Sequence, residues 1–254
     1  MEITFLGTGT SQGVPVIGCR CPVCQSTDDR DKRLRTSALV STQNKNFVID
    51  AGPDFRQQLL RENISQVDAI LITHEHNDHI IGMDDVRPLN FLHRKSMPVF
   101  AEKRVQNELK TRFAYIFDEN PYPGAPRLTL HDIEDEIDLV IEDVRITPIR
   151  AWHGNLPVLG FRFGDFTYLS DLNYLEDEVL NKVKGTKYLA IDALHHSFHH
   201  SHLNLKQALQ MIEIIQPDQA YLIHMSHRMG RHEEVDATLP ENVRLAYDGM
   251  KISC

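Results

Sequence analysis

Thr73-His74-Glu75-His76-Asn77-Asp78-His79 stands directly behind the apolar run Ala69-Ile70-Leu71-Ile72, and its reading decides the fold. A short apolar run bounded by polar residues reads as a buried strand. Side chains alternate along an extended chain, so His74, His76 and Asp78 can point one way. A backbone turn at Asn77-Asp78, where the strand gives way to a loop, brings His79 to join them. Imidazole nitrogen and carboxylate oxygen together suit zinc, iron or manganese. The plain alternative is a solvated turn that happens to be rich in histidine; this spacing behind a buried strand favours the metal.

Outward from this run, short strand-like segments alternate with helical patterns. Strands are expected at 3–6, 38–41, 47–49, 69–72, 99–100, 144–149, 158–163, 167–169, 189–192, 220–223, 243–246 and 251–252. Helices fit 54–62, 83–93, 103–115, 176–184, 205–215 and 233–239. In the helix at 205–215 the apolar residues Leu205, Ala208, Leu209, Ile212 and Ile215 follow helical spacing, Asn204 suits the N-cap and Pro217 stops the chain just beyond. Residues 118–126 read as an exposed loop. No repeat or linker divides the chain, so a single α/β-layered domain over 1–254 is expected. Several strand-like runs end in a ligand-type residue: His153 after 144–149, Asp171 after 167–169, His224 and His227 after 220–223. A layered sheet would gather such residues on one rim.

The composition narrows the partners. The 254 residues carry a formal net charge of −9, which argues against a long nucleic acid and leaves room for a small anionic substrate beside bound cations. No apolar run is long enough to cross a bilayer, and the start Met-Glu-Ile-Thr-Phe-Leu has no secretion-signal pattern, so a cytoplasmic protein with no membrane partner is expected. Three of the four cysteines, Cys19, Cys21 and Cys24, stand together, while Cys254 stands apart. In a cytosolic chain such a cluster reads as a metal site before a disulfide framework.

The order His-x-His-x-Asp-His, then a distant His, a distant Asp and a final His, resembles the metallo-β-lactamase superfamily. The resemblance implies an α/β four-layer αββα sandwich of two mixed sheets with helices outside. It also implies a dinuclear site on one edge: His74, His76 and His153 around one ion, Asp78, His79 and His224 around the second, Asp171 bridging. Asp50, in Val-Ile-Asp-Ala-Gly, matches the family's Asp that orients a ligand without binding metal.

The amino end narrows the likeness. Gly-Thr-Gly-Thr-Ser-Gln-Gly-Val-Pro (7–15) leads into Gly-Cys-Arg-Cys-Pro-Val-Cys (18–24), and His224-Met-Ser-His227 and Tyr247-Asp-Gly-Met250 stand near the other end. Together these resemble the PhnP family of phosphoribosyl cyclic phosphodiesterases. Three thiolates at this spacing need a fourth ligand for a closed tetrahedral zinc site; the resemblance nominates His227, with Cys254 as the competitor. The glycines at 7, 9 and 13 do not have the dinucleotide-binding spacing and read as a turn between strands; the other reading is a concave loop whose N–H groups face a substrate phosphate.

What the PhnP resemblance implies for function is hydrolysis of a small, cyclic-type phosphodiester by a hydroxide held between two divalent ions, manganese, zinc or iron, with one structural zinc apart from them. The catalytic residues are then Asp78, also a ligand, and His202 as general acid ahead of the 205–215 helix. His195, His196, His199 and His200 read as loop residues, with His199 the weaker candidate for the acid. The cations among residues 94–112 are either a cap over a terminal phosphate or a solvated helix face. A thioester or lactone hydrolase, a tRNA-processing nuclease and a non-catalytic zinc module are the rival readings. Oligomeric state is left open, a two-fold homodimer being the commonest arrangement.

Overall fold

In the first half of the computed structural model, which describes residues 1–134 and 137–254, the elements run β1 (Glu2–Gly7), β2 (Ser37–Thr42), β3 (Lys45–Ile49), α1 (Phe55–Arg61), β4 (Ala69–Leu71), α2 (Asn77–Ile80), α3 (Arg87–His93), β5 (Met97–Ala101), α4 (Lys103–Arg112) and β6 (Leu128–Asp132). The second half adds β7 (Leu139–Ile141), β8 (Val144–His153), β9 (Leu156–Phe163), β10 (Phe166–Leu169), α5 (Asp177–Val183), β11 (Tyr188–Asp192), α6 (Leu205–Ile215), β12 (Gln219–Ile223), α7 (His232–Asp236), β13 (Val243–Leu245) and β14 (Lys251–Ser253). Two seven-stranded mixed sheets result, ordered β14-β1-β2-β3-β4-β5-β6 and β13-β12-β11-β10-β9-β8-β7.

Strand alternation explains why these sheets stack. Ala69 and Leu71 of β4 face the apolar layer between the sheets, whereas Ile70 and the following Ile72 face the layer under the outer helices. On β11, Ala190 likewise turns inward, and Leu189 and Ile191 turn toward α5 and α6. Strands that are apolar on both faces must be covered on both faces. Three apolar layers therefore separate four layers of structure, the αββα sandwich expected from the sequence.

Twelve of the strands fall where the pattern placed them. The exceptions, β6 and β7, are the outer edges of their sheets; β6 is largely exposed and β7 is only three residues long, so neither shows a clean apolar alternation. The expected helix at 83–93 is instead a 3-10 turn, Ile81–Val86, running into α3 with Pro88 in its first turn. Proline fits there because the opening N–H groups of a helix have no partner to lose. Helix α4 stops at Arg112, three residues short of expectation.

Parallel pairing positions the site. Parallel strands end side by side, and β3 and β4 pair Ile49 with Leu71 at their carboxyl ends. In the other sheet β10, β11 and β12 are mutually parallel, pairing Leu169 with Ile191 and Asp192 with Ile223. Asp50, Thr73, Asp171, Asp192 and His224 thus leave their strands at neighbouring positions on one rim.

Candidate metal centre

The run from His74 to His79 turns by a single helical turn, α2, which replaces the simple loop expected at Asn77-Asp78. That turn swings the buried His79 back beside His74, with ring centroids 4.2 Å apart. Gly52 makes the turn possible: a Cβ there would lie 1.9 Å from the carbonyl oxygen of Asp78. Asp50, Asp171 and His224 all hold positive φ, at 63°, 55° and 58°. Left-handed backbone at a non-glycine residue costs roughly 1–3 kcal/mol and collects at functional sites.

The second half of the expected ligand set is tightly drawn together. One donor atom from each of Asp78, His79, Asp171 and His224 lies within 4.8 Å of all the others. Nε2 of His79 is 3.2 Å from Asp171 Oδ2 and 3.3 Å from Asp78 Oδ2; Nε2 of His224 is 3.2 Å from Asp171 Oδ1. In the other half the rings of His74, His76 and His153 stand 4.6 to 5.8 Å apart, a looser cluster. His153 groups its donor atom with Asp171 and His202 instead. Asp171 belongs to both of these groups.

The chemistry of these donors fits cations. Nε2 of His74, His79 and His224 is buried and has no hydrogen-bond partner, a state that costs about 1–3 kcal/mol per group unless something fills the space. Burial pushes the His74 imidazole well below its ordinary range, with the neighbouring His79 adding to the effect, so it is neutral, the form that ligates metal. Burial also takes His153 down to about 4. Desolvation would raise Asp171, but His224 and His79 outweigh it and hold the carboxyl well below the usual range. Around His79 the order reverses: burial lowers it, yet Asp171, Asp78 and Asp50 lift it well above ordinary histidine. That carboxylate nest favours positive charge at Nε2, whether a proton or a metal ion in its place.

The outer nitrogens are tied down. His79 Nδ1–H donates to Asp50 Oδ2 at 2.7 Å, and Thr73 donates to the same carboxylate through its N–H and its hydroxyl, each at 2.8 Å. The Thr73 hydroxyl in turn accepts from His74 Nδ1 at 2.9 Å. His153 Nδ1 donates to the Ser201 carbonyl at 2.8 Å. Each tie occupies Nδ1 and leaves Nε2 available to a cation. His202 Nδ1 donates to Asp192 Oδ2 at 2.8 Å, and its Nε2 stands 4.0 Å from Asp171 Oδ1. Thr73, Ser201 and Asp192 were not singled out in the sequence. Asp192 carried a usable signal, an acid ending an apolar run just as Asp171 follows one.

The four residues of the second cluster also meet. Sγ of Cys19, Cys21 and Cys24 lies 3.3, 3.3 and 3.5 Å from His227 Nδ1, and all four donors fall within 4.8 Å of one another. Burial acts to raise the Cys21 thiol, but the Cys24 N–H and His227 draw it down to about 6, toward the ligating thiolate. Cys254 takes no part: it follows β14, with its carbonyl on the Met1 ammonium. The glycine loop packs against the strand after the cysteines. A Cβ at Gly7 would lie 1.9 Å from the Arg35 carbonyl oxygen, so close backbone approach accounts for glycine there.

Of the other histidines, His196 Nε2 donates to the Met229 carbonyl at 2.7 Å. His199 is half-exposed, with its ring 5.1 Å from that of His202. The cations of residues 94–112 divide. Lys95 and Lys103 turn to Asp68 and Asp132, while Arg104 and Arg112 reach Glu75 and Asn77 within the ligand run.

Residues 45–225 match the family model described as the beta-lactamase superfamily domain. A protein of Porphyromonas gingivalis named octanoyltransferase is 40% identical over 253 residues, which cover 99% of this chain and 51% of that protein. The chain thus spans about half the length of this relative. A solved structure described as a new diphosphatase from the PhnP family is 38% identical, with a TM-score of 0.93 over 100% of this chain and 97% of that one. Zinc-bound PqqB from Methylobacterium extorquens shares the fold at 14% identity, with a TM-score of 0.81 over the whole of both chains. With the sandwich, the rim of histidines and aspartates and these likenesses in agreement, the chain belongs to the metallo-β-lactamase superfamily and, within it, to the PhnP family.

Proposed function

We propose that the protein is a metal-dependent hydrolase of a small phosphodiester, of which a cyclic phosphoribose ester is the form its family suggests. His74, His76 and His153 would hold one divalent ion, Asp78, His79 and His224 the second, with Asp171 shared; Cys19, Cys21, Cys24 and His227 would hold a structural zinc. When bound, the two rim ions supply positive charge against a phosphoryl oxygen and acidify water, the chemistry that hydrolysis at neutral pH needs.

The observation that carries the reading is His202. Burial would lower this imidazole, but the Asp192 carboxylate on Nδ1 outweighs it, with help from Asp171, and lifts it to about 9. The Asp192 carboxylate thus favours the protonated ring, whose Nε2 stands 4.0 Å from the shared carboxylate Asp171. A sugar alkoxide is a poor leaving group and gains roughly 10²–10⁴-fold from a positioned acid; a nitrophenolate gains little. His202→Ala should thus retain its metal while losing far more rate on an alkyl diester than on a nitrophenyl diester. Equal losses on the two substrates would remove His202 from the step.

A second reading, hydrolysis of a diphosphate, is favoured by the 38% identity to the structure described as a diphosphatase. Its leaving group is a phosphate, so His202→Ala would cost less there than on an alkyl diester. An octanoyl thioester belongs in the same substrate panel because of the Porphyromonas relative. Activity on none of these substrates that a chelator abolishes would favour a non-catalytic zinc module.

A further inference from the structure

Glu75 and Asn77 are interleaved between the proposed ligands His74, His76 and Asp78, and both are gripped from one helix. Arg104, at the start of α4, pairs with Glu75, and Arg112, at its end, donates to the Asn77 side-chain oxygen. The two arginines lie eight residues apart, about 12 Å along the helix axis. We propose that α4 is a two-arginine clamp that holds the ligand run in register, with Arg104 and Arg112 as positioning residues for the metal centre. The proposal rests on the reading of His74, His76 and Asp78 as ligands.

The clamp is anchored at both ends. Beyond Glu75, Arg104 donates to the Pro157 carbonyl at 2.6 Å and lies 3.5 Å from Glu102 Oε2. Glu102 in turn receives both guanidinium arms of Arg150, at 2.5 and 3.1 Å, three residues before His153 on the same strand. Alternating charges therefore run from the His74–His76 segment through α4 to the strand that ends in His153. The side chains of Glu75, Glu102 and Arg150 are less than one-fifth exposed, so water screens this chain only in part. At the other end Arg112 is steadied by Glu108 one turn back, at 3.2 Å. Lys103, beside Arg104 in sequence, turns instead to Asp132.

Charge and positioning make opposite predictions. Removing a cation near a metal site relieves repulsion and should tighten metal binding. Removing a positioning partner should loosen it, typically 10- to 100-fold. The experiment is competition for Zn²⁺ between a chromophoric chelator and the full chain, with Arg104→Met, Arg112→Met and the control Lys103→Met, and melting temperatures of each metal-free protein. We expect both arginine variants to bind at least about tenfold more weakly, Lys103→Met to match wild type, and the metal-free melting temperatures to stay close together. If Arg104→Met does not fold, Arg104→Lys keeps the charge but cannot span Glu75, Pro157 and Glu102 together, and it should also bind more weakly. Unchanged or tighter binding overturns the clamp. So does an equal loss in Lys103→Met, or a metal-free melting temperature that falls as far as the loaded one. Failure of wild type to bind zinc at the rim would instead remove the ligand reading itself.

Discussion

Asp50 stands behind both halves of the centre at once, since the chain of donors from His74 through Thr73 ends on the carboxylate that also receives His79. Asparagine at this position would set an NH₂ against donors already satisfied by a carboxylate. Asp50→Asn should therefore weaken both rim ions, about 10- to 100-fold, not one alone; a metal titration showing one ion lost and the other untouched would contradict the shared role. Asp192 offers a second test at the same scale. Without its carboxylate, His202 loses the main support of its charged form, so burial outweighs the remaining help from Asp171 and the proton leaves at lower pH. Asp192→Asn should move the alkaline limb of the rate–pH profile on an alkyl diester to lower pH while metal content holds. An unmoved limb would separate Asp192 from the acid. The histidines and aspartates that gather on the rim were legible in the sequence because imidazole and carboxylate at strand ends are chemically marked. Thr73, the Ser201 carbonyl and Asp192 were not, because orienting a ring needs only an acceptor at the right place, and most residue types can supply one.

Helix α6 is the element the sequence described best, over the same residues as the structure, because its apolar spacing and its cap agree. Asn204 accepts from the Gln207 N–H at 2.9 Å and Gln207 Oε1 accepts in return from the Asn204 N–H at 3.0 Å, a full capping box two residues after His202. Asn204→Ala should cost about 1 kcal/mol in urea denaturation; no loss would mean that tertiary packing alone sets this end of the helix. The cysteine loop is legible for a different reason, its ligand spacing; it meets His227, three residues beyond His224, and the glycine loop before it is stitched to the rim by the strand-like contact of Thr8 and Thr10 with Met225. Cys21→Ser should lose about one zinc per chain and lower stability, because a closed site contributes its binding energy to folding. Unchanged zinc content would refute the assignment. What stayed hidden was short or exposed: α2 is one turn, too brief for periodicity, and β6 and β7 are edge strands whose partners lie on one side only.

Across the whole molecule, buried charge joins the two ends of the chain. Arg33 donates to Thr8 Oγ1, the Ala246 carbonyl and His232 Nδ1 at 2.8, 2.6 and 3.2 Å, and Asp248 accepts from Thr8 and from the Leu34 N–H. Burial pushes Asp248 up from 3.8 to about 6, while burial and then Arg33 pull His232 down from 6.5 to about 4. The two act on stability with opposite sign. A carboxyl whose folded pKa is raised binds its proton better in the folded state, so its contribution is present below 3.8 and lost as pH rises toward 6. An imidazole whose folded pKa is depressed contributes above 6.5 and loses that contribution as pH falls toward 4. At 1.36 kcal/mol per unit each amounts to about 3 kcal/mol, so between about pH 4 and 6 they largely cancel. Asp248→Asn should remove one side of this balance, and His232→Gln the other. Relative to wild type, metal-free Asp248→Asn is expected to gain stability as pH rises through that window, and metal-free His232→Gln to lose it. Denaturant titrations in which both variants keep a constant offset from wild type would show that neither group titrates with the fold.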